Sequence, residues 1–383
     1  MAESKIQQIF RYGWEAYKGS FQPNDVQEKA AHSIMGCKTG KFGYNVSICR
    51  DCGHTEIHSS SCRNRNCPNC QAVQKEIWID SRRSEVIDAP YFHVVFTIPA
   101  ELNALVFANQ KLLYSLLHKC CAETLLELSE NPKYLGAAPG IIQVLHTWGQ
   151  ELNFHPHIHC IVSGGGLTKD RKLKKCGPHF FIPAKVLAAK FRGKFLACLQ
   201  KYHEKRELRF SPSCRKLQNS YAWNEFRDCL YKKQWCPNIK ETFNGYGNAI
   251  EYLGRYTHRI AVTNARIISV DENDVTFSAK DYKNGGTKEV TLSNKEFVRR
   301  LMMHVLPFGF QKIRYYGFLN NRSKKKNLQA IFRIQGHQHF RSMLSGMSLD
   351  EIVKQVWNYD IHICPACGCS SMHYLGKTYV LRN

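Results

Sequence analysis

Apolar residues recur at three- and four-residue steps through the first 35 residues, with Ile6, Phe10, Trp14 and Tyr17 on one face, which predicts a helix. Residues 36–71 lose that period and are rich in Cys, Gly, Ser, Asn and Arg, as in a small module held by something other than an apolar core. A helical link over 72–88 leads to a strand over 91–99, closed by Pro99. Residues 105–128 return to the helical period and stop before Asn131 and Pro132. Alternation then predicts two strands, 141–148 and 157–164, joined by a short polar connection from Gly149 to Pro156 as an antiparallel hairpin.

A basic loop over 167–177 leads to a short strand at 180–183 and a helix over 184–202. Further helices are expected over 221–233 and 249–258, the latter preceded by the glycines of NGYGN. Short strands separated by DEND and NGG make residues 266–293 a β-meander. A helix over 296–306, a basic-aromatic segment over 312–318 and the charge run 322–326 follow. The pattern is α+β: a central antiparallel sheet with flanking helices, an N-terminal zinc-ribbon-like module and a β-rich region toward the C-terminus. It divides into 1–75, 76–262, 263–345 and a tail over 346–383.

Composition narrows the function. Of 383 residues, 54 are Lys or Arg and 31 Asp or Glu, a net charge of +23 spread along the chain, which makes a polyanion such as nucleic acid the expected partner. No stretch approaches the roughly 20 apolar residues needed to span a bilayer, and the beginning lacks signal-peptide character, so a cytoplasmic protein without a membrane partner is expected. The 17 cysteines are odd in number in a long chain, which fits reduced thiols better than a disulfide scaffold.

Cys49 and Cys52, then Cys67 and Cys70, form two C-x-x-C knuckles with 14 residues between them, the spacing of a zinc ribbon. Two knuckles complete a closed tetrahedral shell, hence a structural Zn2+. Cys62 either substitutes for a ligand or packs beside the site, and His54 and His58 lie near without paired spacing. Arg63 and Arg65, between the knuckles, sit on a loop suited to phosphate contact. A third knuckle, Cys364 and Cys367, has no evident partners in the sequence, and a second zinc site there stays open.

His157 and His159 flank Ile158 on a strand, so both imidazoles share one face while Ile158 points to the core. His146 on the partner strand lies at the right depth to be a third metal ligand, with Gln150 as the competing candidate and His155 close by. Three protein ligands leave positions for a phosphate oxygen and water, the pattern of a catalytic ion. Tyr252 and Tyr256 are four residues apart on the expected helix, so their hydroxyls share a face. Arg255, His258 and Arg259 surround them with positive charge. A tyrosine attacking a phosphodiester conserves the bond energy as a phosphotyrosine ester.

Together the pieces CRDCGH, SCRNRNCPNCQ, HTWGQELNFHPHIHC, EYLGRYTHR and HVLPFGFQKIRYYGFL resemble the IS-ninety-one type of rolling-circle insertion-sequence transposases. That family belongs to the HUH endonucleases, whose histidine-hydrophobic-histidine motif His157, Ile158 and His159 reproduce. The resemblance implies an N-terminal zinc-binding domain, an HUH nuclease sheet, Mg2+ or Mn2+ at the histidines, and Tyr252 and Tyr256 as nucleophiles that cut and rejoin single-stranded DNA through 5′-phosphotyrosine links. Imidazole chemistry alone favours zinc or manganese over magnesium. Asn66 stands where such proteins often place a histidine before the third cysteine. Arg314 lies in the basic-aromatic segment, which either stacks exposed bases or packs as an amphipathic strand. Alternatives are a plasmid replication initiator or relaxase with the same chemistry, and a non-catalytic zinc-ribbon DNA-binding regulator; monomer and dimer both stay open.

Overall fold

The computed structural model describes residues 3–177, 182–235, 237–242, 254, 261–281, 284–336 and 341–379. Its centre is an antiparallel sheet in the order β11-β4-β5-β3-β7, formed by β3 (Tyr91–Thr97), β4 (Ala138–Trp148), β5 (Phe154–Leu167), β7 (Asn238–Thr242) and β11 (Ile313–Gly317). The short strand β6 (Leu173–Lys175) pairs with the far end of β5. Strands β4 and β5 form the expected hairpin, with a tighter turn than the sequence suggested, since β5 already begins at Phe154.

Alternation along these strands gives the sheet two different faces. Ile141 and Leu145 on β4, Ile158, Cys160 and Val162 on β5 and Phe92, Val94 and Phe96 on β3 point to one side. There they bury against helices α5 (Gln110–Glu130), α6 (Ala184–Glu204) and α7 (Ser220–Lys232). The neighbouring positions Ile142 and Ile161 face the other side, which is covered by Ile79 of α3 (Ala72–Arg83) and by Leu328 and Ile331 of α9 (Lys324–Gln335). Arg82 of α3 anchors this layer: its guanidinium donates to both carboxylate oxygens of Glu85 at 2.8 and 2.6 Å and to the Tyr315 hydroxyl of β11 at 2.9 Å. Lys324 of α9 donates to the same Glu85 at 2.6 Å, so the buried carboxylate is shared by two cations.

A second core lies beside the open end of that layer. The single helix expected over the first 35 residues is two, α1 (Lys5–Phe21) and α2 (Asp25–Gly36), because Pro23 stops the first and the Asn24 side chain caps the second by accepting from Val26 N and Gln27 N. Helix α1 lies across α8 (Asn294–Met302), and the crossing requires Gly13: a Cβ there would sit 2.6 Å from the Asn294 carbonyl carbon. The meander β8 (Ile267–Val270), β9 (Asp274–Asp281) and β10 (Gly286–Ser293) packs Ile267, Val275 and Phe277 into the same core. Residues 263–302 therefore share a core with the N-terminal helices. Leu152, fully buried in the β4–β5 turn, ties this core to the central sheet.

Of the residues expected as a tail, 346–379 are described, and they pack on the rest of the chain. Helix α10 (Leu349–Trp357) rests on α3, and β12 (Met372–Thr378) pairs antiparallel with β1 (Tyr44–Cys49), which also pairs with β2 (Thr55–Ser59). The 312–318 segment is β11, an edge strand hydrogen-bonded to β4, which settles the sequence alternatives in favour of packing. Beyond it, the charge run opens helix α9, whose apolar side was hidden among its lysines. Among the described residues no helix is long and apolar enough to cross a membrane.

Candidate metal centres and catalytic site

The hairpin register places His146 directly opposite His157, with His159 two residues further along the same face. The ligand nitrogens of all three lie within 4.8 Å of one another, on the side of the sheet facing away from the α5–α6 core. His146 and His159 are buried and His157 half-buried. The His155 carbonyl can only accept, so His157 Nδ1 carries a proton and donates to it at 2.7 Å, leaving a lone pair on Nε2. That nitrogen faces His159 Nε2 at 3.1 Å. Two adjacent nitrogens of an octahedral ion, each bonded at about 2.1 Å, stand about 3 Å apart, so the spacing fits a shared divalent cation.

Outer contacts orient this set. His159 Nδ1 is 2.8 Å from His93 Nε2, and the two rings are coplanar within 2° with centroids 5.1 Å apart, as an edge-to-edge hydrogen bond requires. In the tautomer that serves a cation, His159 donates to His93 and turns its Nε2 lone pair toward His157. His93 escaped the sequence reading: it sits inside the apolar run of β3, and only the order β4-β5-β3 brings it beside His159. Trp148 stacks on His146 at 4.5 Å and walls a cavity of about 200 Å³ that Arg65, Gln71, His304 and Lys312 also line. Burial, with the Arg65 charge adding to it, lowers the Lys312 ammonium to about 7. Gln150, the other candidate ligand, lies in the β4–β5 turn, where its backbone carbonyl accepts from Arg266 at 2.6 Å.

His304 gives a pH prediction. Burial lowers its imidazole from 6.5 to about 4, while its Nε2–H donates to the Leu152 carbonyl at 3.0 Å. Between those values the unfolded chain takes a proton that the folded chain refuses, so the contribution is whole above pH 6.5 and is lost as pH falls toward 4. We expect the melting temperature to drop over that window, by the equivalent of ~3 kcal/mol for this residue, and His304→Gln to flatten the slope.

Tyr252 and Tyr256, with Arg255 and Arg259, lie outside the described residues. Gly254 between them is described, and it is helical and buried. A Cβ there would stand 2.2 Å from Ile79 Cδ1 of α3. Gly254→Ala is expected to cost ~1–3 kcal/mol through overpacking, and Ile79→Ala in the same chain to recover part of it. Equal stability of Gly254→Ala and the parent on denaturant unfolding would contradict this packing.

The cysteines divide differently from the spacing argument. Cys49, Cys52, Cys67 and Cys70 do not form one shell. Cys67 and Cys70 converge with Cys37 and Cys62, while Cys49 and Cys52 converge with Cys364 and Cys367. The reason is steric: β1 and β2 carry the first knuckle out to the sheet with β12, and the loop after β2 turns back to the end of α2, where Cys37 stands. In the inner group Cys62 Sγ is 3.6 Å from Cys70 Sγ, and the Cys37 and Cys62 sulfurs accept N–H bonds from Cys62 and Asn64 at 3.5 and 3.4 Å. A tetrahedron with Zn–S bonds of about 2.3 Å has sulfurs ~3.8 Å apart, whereas a disulfide needs about 2 Å. Hydrogen bonding among the four thiols, that with Cys37 first, raises Cys62 and Cys67 above the ordinary thiol range and lowers Cys70, and four sulfurs this close can all be thiolates only around a cation.

Of the expected phosphate contacts, Arg63 is exposed on its loop. Arg65, also exposed, donates its guanidinium to the carbonyls of Phe310, Leu306 and Pro307 at 2.7, 3.3 and 3.2 Å. Arg314 stands over the Phe310 ring and donates to Ser115 Oγ at 3.2 Å. Both act as struts between elements.

Histidines on the middle of an antiparallel sheet, a cysteine-rich N-terminal module and a net charge of +23 suit a protein that acts on nucleic acid. Comparison with known proteins gives the same class. Residues 140–327, which span the three histidines and both tyrosine positions, match the family model described as "Putative transposase", and residues 9–98 match "Transposase zinc-binding domain". The chain is 41% identical over 327 residues to the Sinorhizobium fredii (strain NBRC 101917 / NGR234) protein described as "Putative transposase y4qJ", covering 85% of this chain and 82% of that one. It is 27% identical over 315 residues to the "Transposase for insertion sequence element IS801" of Pseudomonas savastanoi pv. phaseolicola, covering 80% and 74%. No solved structure matches it. The chain belongs to the IS-ninety-one type family of insertion-sequence transposases.

Proposed function

We propose that this transposase cuts and rejoins single-stranded DNA at the ends of its element, with a divalent ion held by His146, His157 and His159 and with Tyr252 and Tyr256 as nucleophiles. The observation that carries the reading is the convergence of three imidazoles, one with its lone pair fixed inward by the His155 carbonyl. When bound, Mg2+ or Mn2+ supplies positive charge to the scissile phosphate. The chain's own groups do the rest. His93 and Trp148 hold the imidazole rings, and the tyrosine oxygen attacks phosphorus as the bond to the 3′ oxygen breaks. The 5′ phosphate stays on tyrosine and the departing oxygen leaves as a 3′ hydroxyl that later reseals the strand. Cys37, Cys62, Cys67 and Cys70 hold a structural Zn2+ that joins the N-terminal module to the second core, and exposed Arg63 contacts DNA phosphate.

The test is adduct formation. Labelled single-stranded oligonucleotides spanning the element ends, with Mg2+ or Mn2+, should become covalently attached to the protein, and Tyr252→Phe with Tyr256→Phe should abolish attachment. An undiminished adduct in that double variant would remove both tyrosines from the scheme, and no adduct in the parent chain would favour a non-catalytic DNA-binding role.

A further inference from the structure

The cysteines left over from the inner group point to a second metal centre. Cys49 and Cys364 are buried, Cys52 and Cys367 exposed, and all four sulfurs lie within 4.8 Å of one another. Cys49 Sγ stands 3.7 Å from Cys367 Sγ, and Cys52 Sγ 3.7 Å from Cys364 Sγ, the spacing of a zinc tetrathiolate and far beyond a disulfide.

The two halves are built alike although 311 residues separate Cys52 from Cys364. In the first, Cys49 N donates to the His54 carbonyl at 2.8 Å and Gly53 N to the Cys49 carbonyl at 3.0 Å. In the second, Cys364 N donates to the Cys369 carbonyl at 2.8 Å and Gly368 N to the Cys364 carbonyl at 2.9 Å. Both knuckles read C-x-x-C-G, and both glycines take the left-handed conformation, at φ +73° and +74°. A side chain there would strain the turn that aims both thiols inward. The Cys67 knuckle is followed by Gln71 instead, and it belongs to the other group.

We infer that Cys49, Cys52, Cys364 and Cys367 hold a second structural Zn2+, which closes one zinc ribbon from the two ends of the chain. The zinc-binding family match ends at residue 98 and so includes only half of these ligands. Apolar packing cannot do the ion's work: the local core is Cys49, Cys364 and Met372, while Tyr359, Ile361, Ile363, Tyr374 and Leu375 are exposed. So small a core does not order a segment of this length without a staple. Besides the β12–β1 pairing, the Asp80 carboxylate of α3 anchors the start of this segment, accepting from Ser342 Oγ at 2.5 Å, Met343 N at 3.1 Å and Leu344 N at 3.0 Å. The ribbon thus holds β12 beside β1, while Asp80 holds the stretch before it against α3, the helix whose Ile79 backs Gly254.

Cobalt counting tests this. Thiolate-to-Co2+ charge-transfer absorption registers cysteine sites and ignores the histidine site. Titrating the metal-free full chain with Co2+ should saturate this band at two equivalents. Cys364→Ser with Cys367→Ser should saturate at one and should lose its C-terminal segment to trypsin several-fold faster. Saturation of the parent at one equivalent overturns the proposal without reference to any variant, as does retention of two equivalents by the double variant.

Discussion

His157→Ala together with His159→Ala should lower single-strand cleavage by at least ~10³-fold, equivalent to about 4 kcal/mol of barrier, with binding to the same oligonucleotide nearly unchanged. On the proposed mechanism two of the three ligands are removed, so the site can no longer concentrate a divalent charge at the scissile phosphate. Ile158 stays in place and keeps the strand packed against the α5–α6 core, so the fold should survive. Single-turnover cleavage with Mg2+ or Mn2+ measures the loss. His93→Ala should fall between this variant and the parent, ~10–100-fold down, because it only orients His159. Full activity in the double variant would mean that the histidines do not serve catalysis.

Cys67→Ser should have the largest effect on stability. Cys67 is fully buried, in the inner group and in the second core alike. Structural zinc binding is worth ~10–16 kcal/mol, while whole domains are stable by ~5–15 kcal/mol, so losing a ligand exceeds what apolar packing can offset. The expected outcome is collapse of the N-terminal unit: exposure of the Trp14 environment to solvent, rapid proteolysis between α2 and α3, and loss of one thiolate-bound metal. Since Arg65 donates to three carbonyls of the 306–310 segment, the disturbance should also reach the cavity beside Trp148. Cys52→Ser, at an exposed ligand of the other group, should leave this core intact.

Local chemistry made much of this legible in the sequence. Alternation in 141–148 and 157–164 gave the hairpin, and the short connection fixed its register closely enough to set His146 against His157. The β-meander and helix α6 followed from period alone, whereas the one helix expected over 105–128 is broken at Asn109 into Asn103–Ala108 and α5. What stayed hidden depends on distant contact. Cys37 carries no knuckle of its own and becomes a ligand only because α2 ends beside the 62–70 loop. The pairing of the 49–52 and 364–367 knuckles spans most of the chain, although their shared C-x-x-C-G pattern was a usable signal that spacing between neighbours overrode. For Arg65 and Arg314 the charge shows in the sequence, while the carbonyls and the ring that engage them do not. Helix α9 begins in three lysines, which mask its buried Leu328 and Ile331.

The most direct measurement maps the covalent linkage itself: digest the protein after reaction with a 5′-extended single-stranded end oligonucleotide, and locate the nucleotide-bearing peptide by mass spectrometry. The account predicts a 5′-phosphate ester on Tyr252 or Tyr256, formed only with divalent metal and absent from the His157→Ala, His159→Ala chain. A nucleotide linked to any other residue, or the same linkage in the presence of excess chelator, would contradict it.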